Sequence, residues 1–159
     1  MTTIAYKDGV LASDSRGNRG NAIEAGSSRK VWSFPDGRLL GICGGYASAV
    51  RFVEWMRQGG AGAAPHLDDN STIIEVRPDR SILIHEQNGS YPAEGSDYFA
   101  WGSGTSAALG AFFVGATAEQ AVEAACSVDP YSGGAVQVAR LKSQPRAVTT
   151  RLKVVRKAA

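Results

Sequence analysis

The sequence predicts an α+β domain in which two antiparallel sheets lie face to face, with helices over their outer sides. Two observations predict it. First, β-prone runs come in pairs joined by turn signals, at Asp8-Gly9, Pro35-Asp36-Gly37 and Pro78-Asp79-Arg80, which is the pattern of hairpins. Second, helical spacing is confined to two blocks, residues 46–58 and residues 106 to about 128, instead of alternating with single strands. That segregation argues against a parallel βαβ sheet. The length of 159 residues, with 43% hydrophobic and 20% charged residues, fits one globular domain spanning the chain, burying about two thirds of its unfolded surface.

Residues 2–7 and 10–15 read as a hairpin across Asp8-Gly9. A two-residue turn pairs Lys7 with Val10 and sets Asp14 opposite Thr3, beside the start of the chain. Strict alternation would place the Thr2 and Asp14 side chains on opposite faces, so the register gives proximity and not a contact. Residues 16–27, rich in Gly and Asn, read as a loop. Residues 28–34 read as a strand with Lys30, Trp32 and Phe34 on one face. A lysine among aromatics either snorkels to water or is paired. Residues 38–43 return as the next strand and end at Gly44-Gly45. The spacing of Ala47, Val50, Val53 and Met56, flanked by Phe52 and Trp55, predicts a helix over 46–58. Residues 59–65, with three glycines and Pro65, stop it. Strands follow at 72–76 and 81–85, a turn at Asn88-Gly89, and a short strand at 98–101 running into Gly102-Ser103-Gly104. Residues 106–114 form a small-residue helix. Thr117 and Gln120 make a capping-box pattern for another. After a loop at 129–134, strands are expected at 135–141 and 147–155.

Composition excludes several function classes. A formal net charge of +2 is too small to point to nucleic acid, and the basic residues near the end (Arg151, Lys153, Arg156, Lys157) read as a solvated terminus. No apolar run is long enough for a membrane helix, and the start lacks the features of a signal peptide. The two cysteines, Cys43 and Cys126, fall in different elements and read as buried free thiols of a reducing compartment, hence a cytoplasmic location. His66 and His85 have no metal-ligand spacing and are expected at the surface.

The chain start carries its own chemistry. Methionine aminopeptidases remove Met before a small residue, and Thr2 qualifies. A free Thr2 would hold an α-amine beside its own hydroxyl, and the amine can take the hydroxyl proton. Such an amine ordinarily titrates at about 7.7–8.0, so a modest downward shift makes it a base at neutral pH.

Downstream residues resemble, in order and spacing, the proteasome β-subunit and HslV group of N-terminal nucleophile hydrolases over nearly the whole chain. The matching pieces are Thr2-Thr3-Ile4, the strand Gly9 to Arg16 bearing Asp14, and Ser28-Arg29-Lys30-Val31. To these add the glycine turn in Leu40 to Ser48, then Gly102-Ser103-Gly104, then Asp129-Pro130-Tyr131-Ser132-Gly133-Gly134. The resemblance implies a four-layer αββα sandwich and a threonine-type endopeptidase subunit. Its sites would face the chamber of a self-compartmentalised ring, with unfolded or peptide substrates and an ATPase unfoldase ring as partner. No cofactor, metal, nucleic acid or membrane is expected.

It assigns Thr2 as nucleophile, with its amine as base. Lys30 would lower the amine pKa and favour the alkoxide, Asp14 would compensate Lys30, and the Gly44 N–H would donate to the oxyanion. Ser103, Asp129 and Ser132 would form a network around the terminal amine. Ile42 and Tyr46 match positions of an apolar specificity pocket, with plain core residues as the alternative. Asn18 matches a loop position whose backbone pairs with an extended peptide. One departure stands out: the group has two long helices between the glycine turn and the next strand, and this chain has one. A small-molecule amidase of the same superfamily and a non-catalytic ring or scaffold subunit are the competing readings. The joint presence of Thr2, Asp14 and Lys30 argues against the second.

Overall fold

A computed structural model describes residues 1–142; the strand expected at 147–155 lies outside the described residues. The chain opens with the hairpin β1 (Thr3–Lys7) and β2 (Val10–Ser13), in the expected register with Lys7 opposite Val10. Beside them lie β10 (Tyr98–Gly102), paired with β1, and β11 (Gln137–Arg140), paired with β2. This antiparallel sheet runs β10-β1-β2-β11. The other large sheet runs in sequence order through β5 (Val31–Ser33), β6 (Leu39–Cys43), β7 (Thr72–Val76), β8 (Ile82–Glu86) and β9 (Gly89–Ala93). The expected loop at 16–27 carries a small hairpin, β3 (Asn18–Arg19) with β4 (Ala22–Ile23). The strand β9 was not legible in the sequence. Its Gly-Ser-Tyr-Pro-Ala run is poor strand material, and it holds an edge position, where proline is tolerated.

Alternation along the strands builds three apolar layers. Ile4, Tyr6 and Leu11 of the first sheet meet Val31, Leu39, Cys43, Ile74 and Ile84 of the second. Gly41 lets the sheets approach closely, since a Cβ there would press on Ile4 and Leu11. The other face of the first sheet, Ala5 and Ala12, is covered by α2 (Thr105–Phe113) and α3 (Ala118–Val128) through Ala108, Phe112, Ala121 and Val122. The other face of the second sheet, Leu40, Ile42 and Ile73, is covered by α1 (Tyr46–Arg57). The result is the αββα order. The expected capping box starts α3: Thr117 Oγ1 accepts from the Gln120 N–H and Gln120 Oε1 from the Thr117 N–H.

Two sequence expectations need correction here. The buried stripe of α1 is Ala49, Phe52, Val53 and Met56, spaced i, i+3, i+4, i+7, instead of one through Ala47 and Val50. Ala47 is left exposed. His85 is not at the surface but 9% exposed, because the outer side of β7 and β8 carries a polar cluster. Its Nε2 lies 2.9 Å from Glu75 Oε2 and its Nδ1 2.7 Å from Ser90 Oγ. Arg77 and Arg38 approach the same carboxylate at 3.1 and 3.6 Å. Burial pushes the Glu75 carboxyl up, but hydrogen bonds from His85 and Arg77 and their charges outweigh it and hold it at about 2. Both cysteines are free; Cys43 is buried and Cys126 partly exposed. Among the described residues no helix is long and apolar enough to cross a membrane.

Candidate active site

The site is built where β1 begins. Thr2, 4% exposed, is fixed by its backbone. Its carbonyl oxygen accepts from the Ser103 N–H at 2.9 Å. The N–H of the next residue, Thr3, donates to Asp14 Oδ1 at 2.9 Å. Gly102 stands against the Thr2 carbonyl with φ +97°, and a Cβ there would collide with that oxygen. Glycine is required on both counts.

Asp14 is fully buried. It lies one residue past the end of β2; its N–H still donates to the Thr3 carbonyl at 3.2 Å, but the Thr3 N–H turns to its carboxylate, so the regular ladder ends there and alternation no longer fixes its direction. Its carboxylate turns back across the strand ends. Oδ1 accepts from Thr3 N and from Lys30 Nζ, the latter at 2.9 Å; Oδ2 accepts from the N–H groups of Arg16 and Gly133, both at 3.1 Å. Lys30, 3% exposed, is therefore paired and does not snorkel. It sits just before β5, and its side chain departs from the face that Trp32 and Phe34 share beneath α1. Besides Asp14, Nζ donates to the Arg16 carbonyl at 2.8 Å and to the Met1 carbonyl at 3.4 Å. The Met1 carbonyl carbon is bonded to the Thr2 nitrogen, so the ammonium stands beside that nitrogen. Burial pulls the Lys30 ammonium below the ordinary lysine value, against the opposing charge and hydrogen bond of Asp14. Gln137 holds this lysine's backbone: its Oε1 accepts from the Lys30 N–H at 2.9 Å, and its Nε2 donates to the Ser28 carbonyl at 2.8 Å.

Ser103, Asp129 and Ser132 form one network. Asp129 Oδ2 accepts from both serine hydroxyls at 2.6 Å. Ser132 Oγ also lies 2.6 Å from Thr3 Oγ1. Thus the network reaches Thr2 through its carbonyl oxygen and through Thr3. Burial would raise the Asp129 carboxyl, but bonds from Ser103, Ser132 and the Tyr131 N–H, with the positive chain terminus, hold it below its ordinary value.

Thr2 opens onto a cavity of about 340 Å³ whose wall includes Asn18, Ser28, Lys30, Gly44 and Tyr46. Tyr46, 46% exposed, stands at its rim. Asn18 belongs to the β3–β4 arm and donates through Nδ2 to the Tyr131 carbonyl. Gly44 is exposed, with φ +89°. Its N–H donates to no acceptor among the described residues. Ile42 is different: it is 2% exposed, packs beneath α1 and takes no part in the cavity wall. The core alternative for Ile42 is the observed one. Three contributors escaped the sequence reading. Of these, Thr3 left a signal that was not used, a second hydroxyl beside Thr2. The Arg16 carbonyl and the Gln137 amide left no signal.

Two antiparallel sheets packed face to face and flanked by helices make the αββα sandwich of the N-terminal nucleophile hydrolase fold. Comparison with solved structures finds the same fold in other proteins. The chain is similar to BPH of Thiobacillus denitrificans in complex with epoxomicin, at 23% identity and TM-score 0.59, over 89% of this chain and 99% of that one. A second structure of Thiobacillus denitrificans BPH gives 20% identity and TM-score 0.63 over 90% and 99%. Eukaryotic HslV from Trypanosoma brucei gives 17% and 0.67 over 89% and 99%. No family model matches the sequence, and no curated protein matches it.

Proposed function

We propose that the protein is a threonine-type endopeptidase subunit of a proteasome-like ring, with Thr2 as N-terminal nucleophile once Met1 is removed. The observation that carries the reading is the Lys30 ammonium, bonded to Asp14 at 2.9 Å and standing 3.4 Å from the carbonyl that joins Met1 to Thr2. With Met1 attached, the Thr2 nitrogen is an amide and no base. Freed, it is an amine beside a fixed cation, which disfavours its protonated form. It then takes the hydroxyl proton as Oγ attacks the scissile carbonyl. The oxyanion of the tetrahedral intermediate accepts from the Gly44 N–H, a donor contributing on the order of 3–4 kcal/mol in such sites. The leaving amine takes the proton back from the α-ammonium, and water then hydrolyses the ester on Thr2 by the reverse order of transfers. Ser103, Asp129 and Ser132 hold Thr2 in place through its carbonyl and through Thr3. Extended peptide would run along the backbone near Asn18, with a side chain against Tyr46. Likeness to HslV supports reading the chain as a ring subunit; peptide substrates and an ATPase partner are part of the same proposal.

The test is the intact mass of the purified protein with and without a peptide epoxyketone, a warhead that requires both the hydroxyl and the free amine of an N-terminal threonine. The expected result is loss of one methionine and gain of one inhibitor. A Met-free chain that takes up no inhibitor and cleaves no peptide overturns the reading. Turnover of small amides alone would favour the amidase.

A further inference from the structure

We propose that Ser48, Asp68 and Ser71 are positioning residues that fix the Gly44 N–H as oxyanion donor; this rests on the reading of Thr2 as nucleophile. The turn Gly44-Gly45 joins β6 to α1 and has no side chains with which to hold itself. Nor does α1 secure its own start. Gly45 supplies no side-chain cap, and the first turn has no acidic residue. The segment 68–71, which leads into β7, does both jobs from outside.

The contacts are dense. A Cβ on Gly44 would collide with the Asn70 carbonyl oxygen, so that backbone oxygen already rests against the Gly44 Cα. On Gly45 a Cβ would come 2.6 Å from Asp68 Oδ2 and 2.8 Å from Ser71 Oγ. Ser48, fully buried, is the hub. Its Oγ lies 2.8 Å from Asp68 Oδ2, 2.9 Å from Ser71 Oγ and 3.2 Å from the Gly45 carbonyl. Ser71 Oγ is 3.3 Å from the same carbonyl. With the Ser48 hydroxyl donating to Asp68, the Ser71 hydroxyl donates to Ser48 or to the Gly45 carbonyl, and both protons are satisfied. The Asp68 carboxylate also sits at the open N-terminus of α1, where negative charge is favourable.

Each bond limits the Gly44 peptide. Cys43 is held in the ladder opposite Thr72. The Gly44 Cα is held by Asn70, and the Gly45 carbonyl by Ser48, Ser71 and the Ala49 N–H. The Cys43–Gly44 peptide between them has little freedom to rotate. Without the cradle two adjacent glycines would be free to turn the N–H away from the cavity.

The test uses Met-processed Asp68→Ala, Asp68→Asn and Ser48→Ala. Two reactions are measured on each: turnover of a fluorogenic peptide, and labelling of Thr2 by a peptide vinyl sulfone. The vinyl sulfone is attacked at carbon by conjugate addition and forms no carbonyl oxyanion. The expected result is a fall in kcat of about 10- to 100-fold in Asp68→Ala and Ser48→Ala, with KM and the labelling rate within about twofold of the parent. Asp68→Asn, which keeps an acceptor oxygen, should lose less. Unchanged kcat, or an equal fall in turnover and labelling, overturns the cradle while leaving Thr2 as nucleophile. A parent protein that reacts with neither probe overturns the assignment of Thr2, and the cradle with it.

Discussion

In the proposed mechanism Lys30 and Asp14 are the residues on which the chemistry turns, and each is sensitive to a different change. Lys30→Ala should abolish turnover with the fold retained. Lys30→Arg should not restore it, because a planar guanidinium cannot take the place of a point charge bonded to Asp14, Arg16 and Met1. Asp14→Asn leaves a buried ammonium without its counter-charge and should cost on the order of 3–5 kcal/mol of stability as well as activity. Thermal melts and peptide turnover of Met-processed protein check all three. Near-parental turnover by Lys30→Arg would remove Lys30 from the mechanism. A second prediction concerns Glu75, which does not line the cavity. Its folded pKa of about 2 lies below the reference 4.5, so its contribution is fully present above pH 4.5 and lost as pH falls toward 2. Denaturant titrations at stepped pH should show a loss on the order of 3 kcal/mol across that window. In Glu75→Gln the acid-side loss should shrink. An unchanged slope would rule out this source.

At the scale of elements, the glycine turn and the α3 cap make opposite predictions. Gly44→Ala places a Cβ against the Asn70 carbonyl at φ +89°, so it should lower both melting temperature and turnover. Thr117→Ala removes the hydroxyl that accepts from Gln120 and should cost about 1 kcal/mol with kcat unchanged, because Thr117 caps the start of α3 and Asp129 follows its other end. The hairpin β1–β2 and the cap of α3 were legible because their signals are local: Asp-Gly between β-prone runs, and Thr followed by Gln at the right spacing. Alternation predicted proximity of Asp14 to Thr3 but failed to predict contact, since it stops where the ladder stops. It also grouped Lys30 with Trp32 and Phe34, and tertiary pairing with Asp14 overrode it. His85 was misjudged because nothing near it in sequence announces Glu75 and Ser90 as partners across neighbouring strands.

For the whole molecule, the order of hairpins and helix blocks was enough to read the αββα layering, because it depends only on which faces are apolar. Six short segments carried the site assignment, whereas the cradle of 68–71 and the clamp by Gln137 arise from long-range packing that leaves no local pattern. Assembly is the prediction that belongs at this scale. Phe113 and Val114, at the end of α2, are 85% and 80% exposed in the single chain, an exposure that assembly would relieve. Light scattering at micromolar concentration should report a multimer. A monomer with full peptidase activity would remove the ring.

The Lys30–Asp14 bond has a mechanical side. Its two ends belong to different sheets, one just before β5 and the other just after β2, and the layer between those sheets is built of apolar side chains. A slide of one sheet over the other by the rise of a single strand residue, about 3.3 Å, would part the ammonium from the carboxylate. The pair is thus a gauge of sheet alignment. Shear applied to the outer helices would be felt at Lys30 and, through Asp14, at the Thr3 N–H, with nothing entering the cavity.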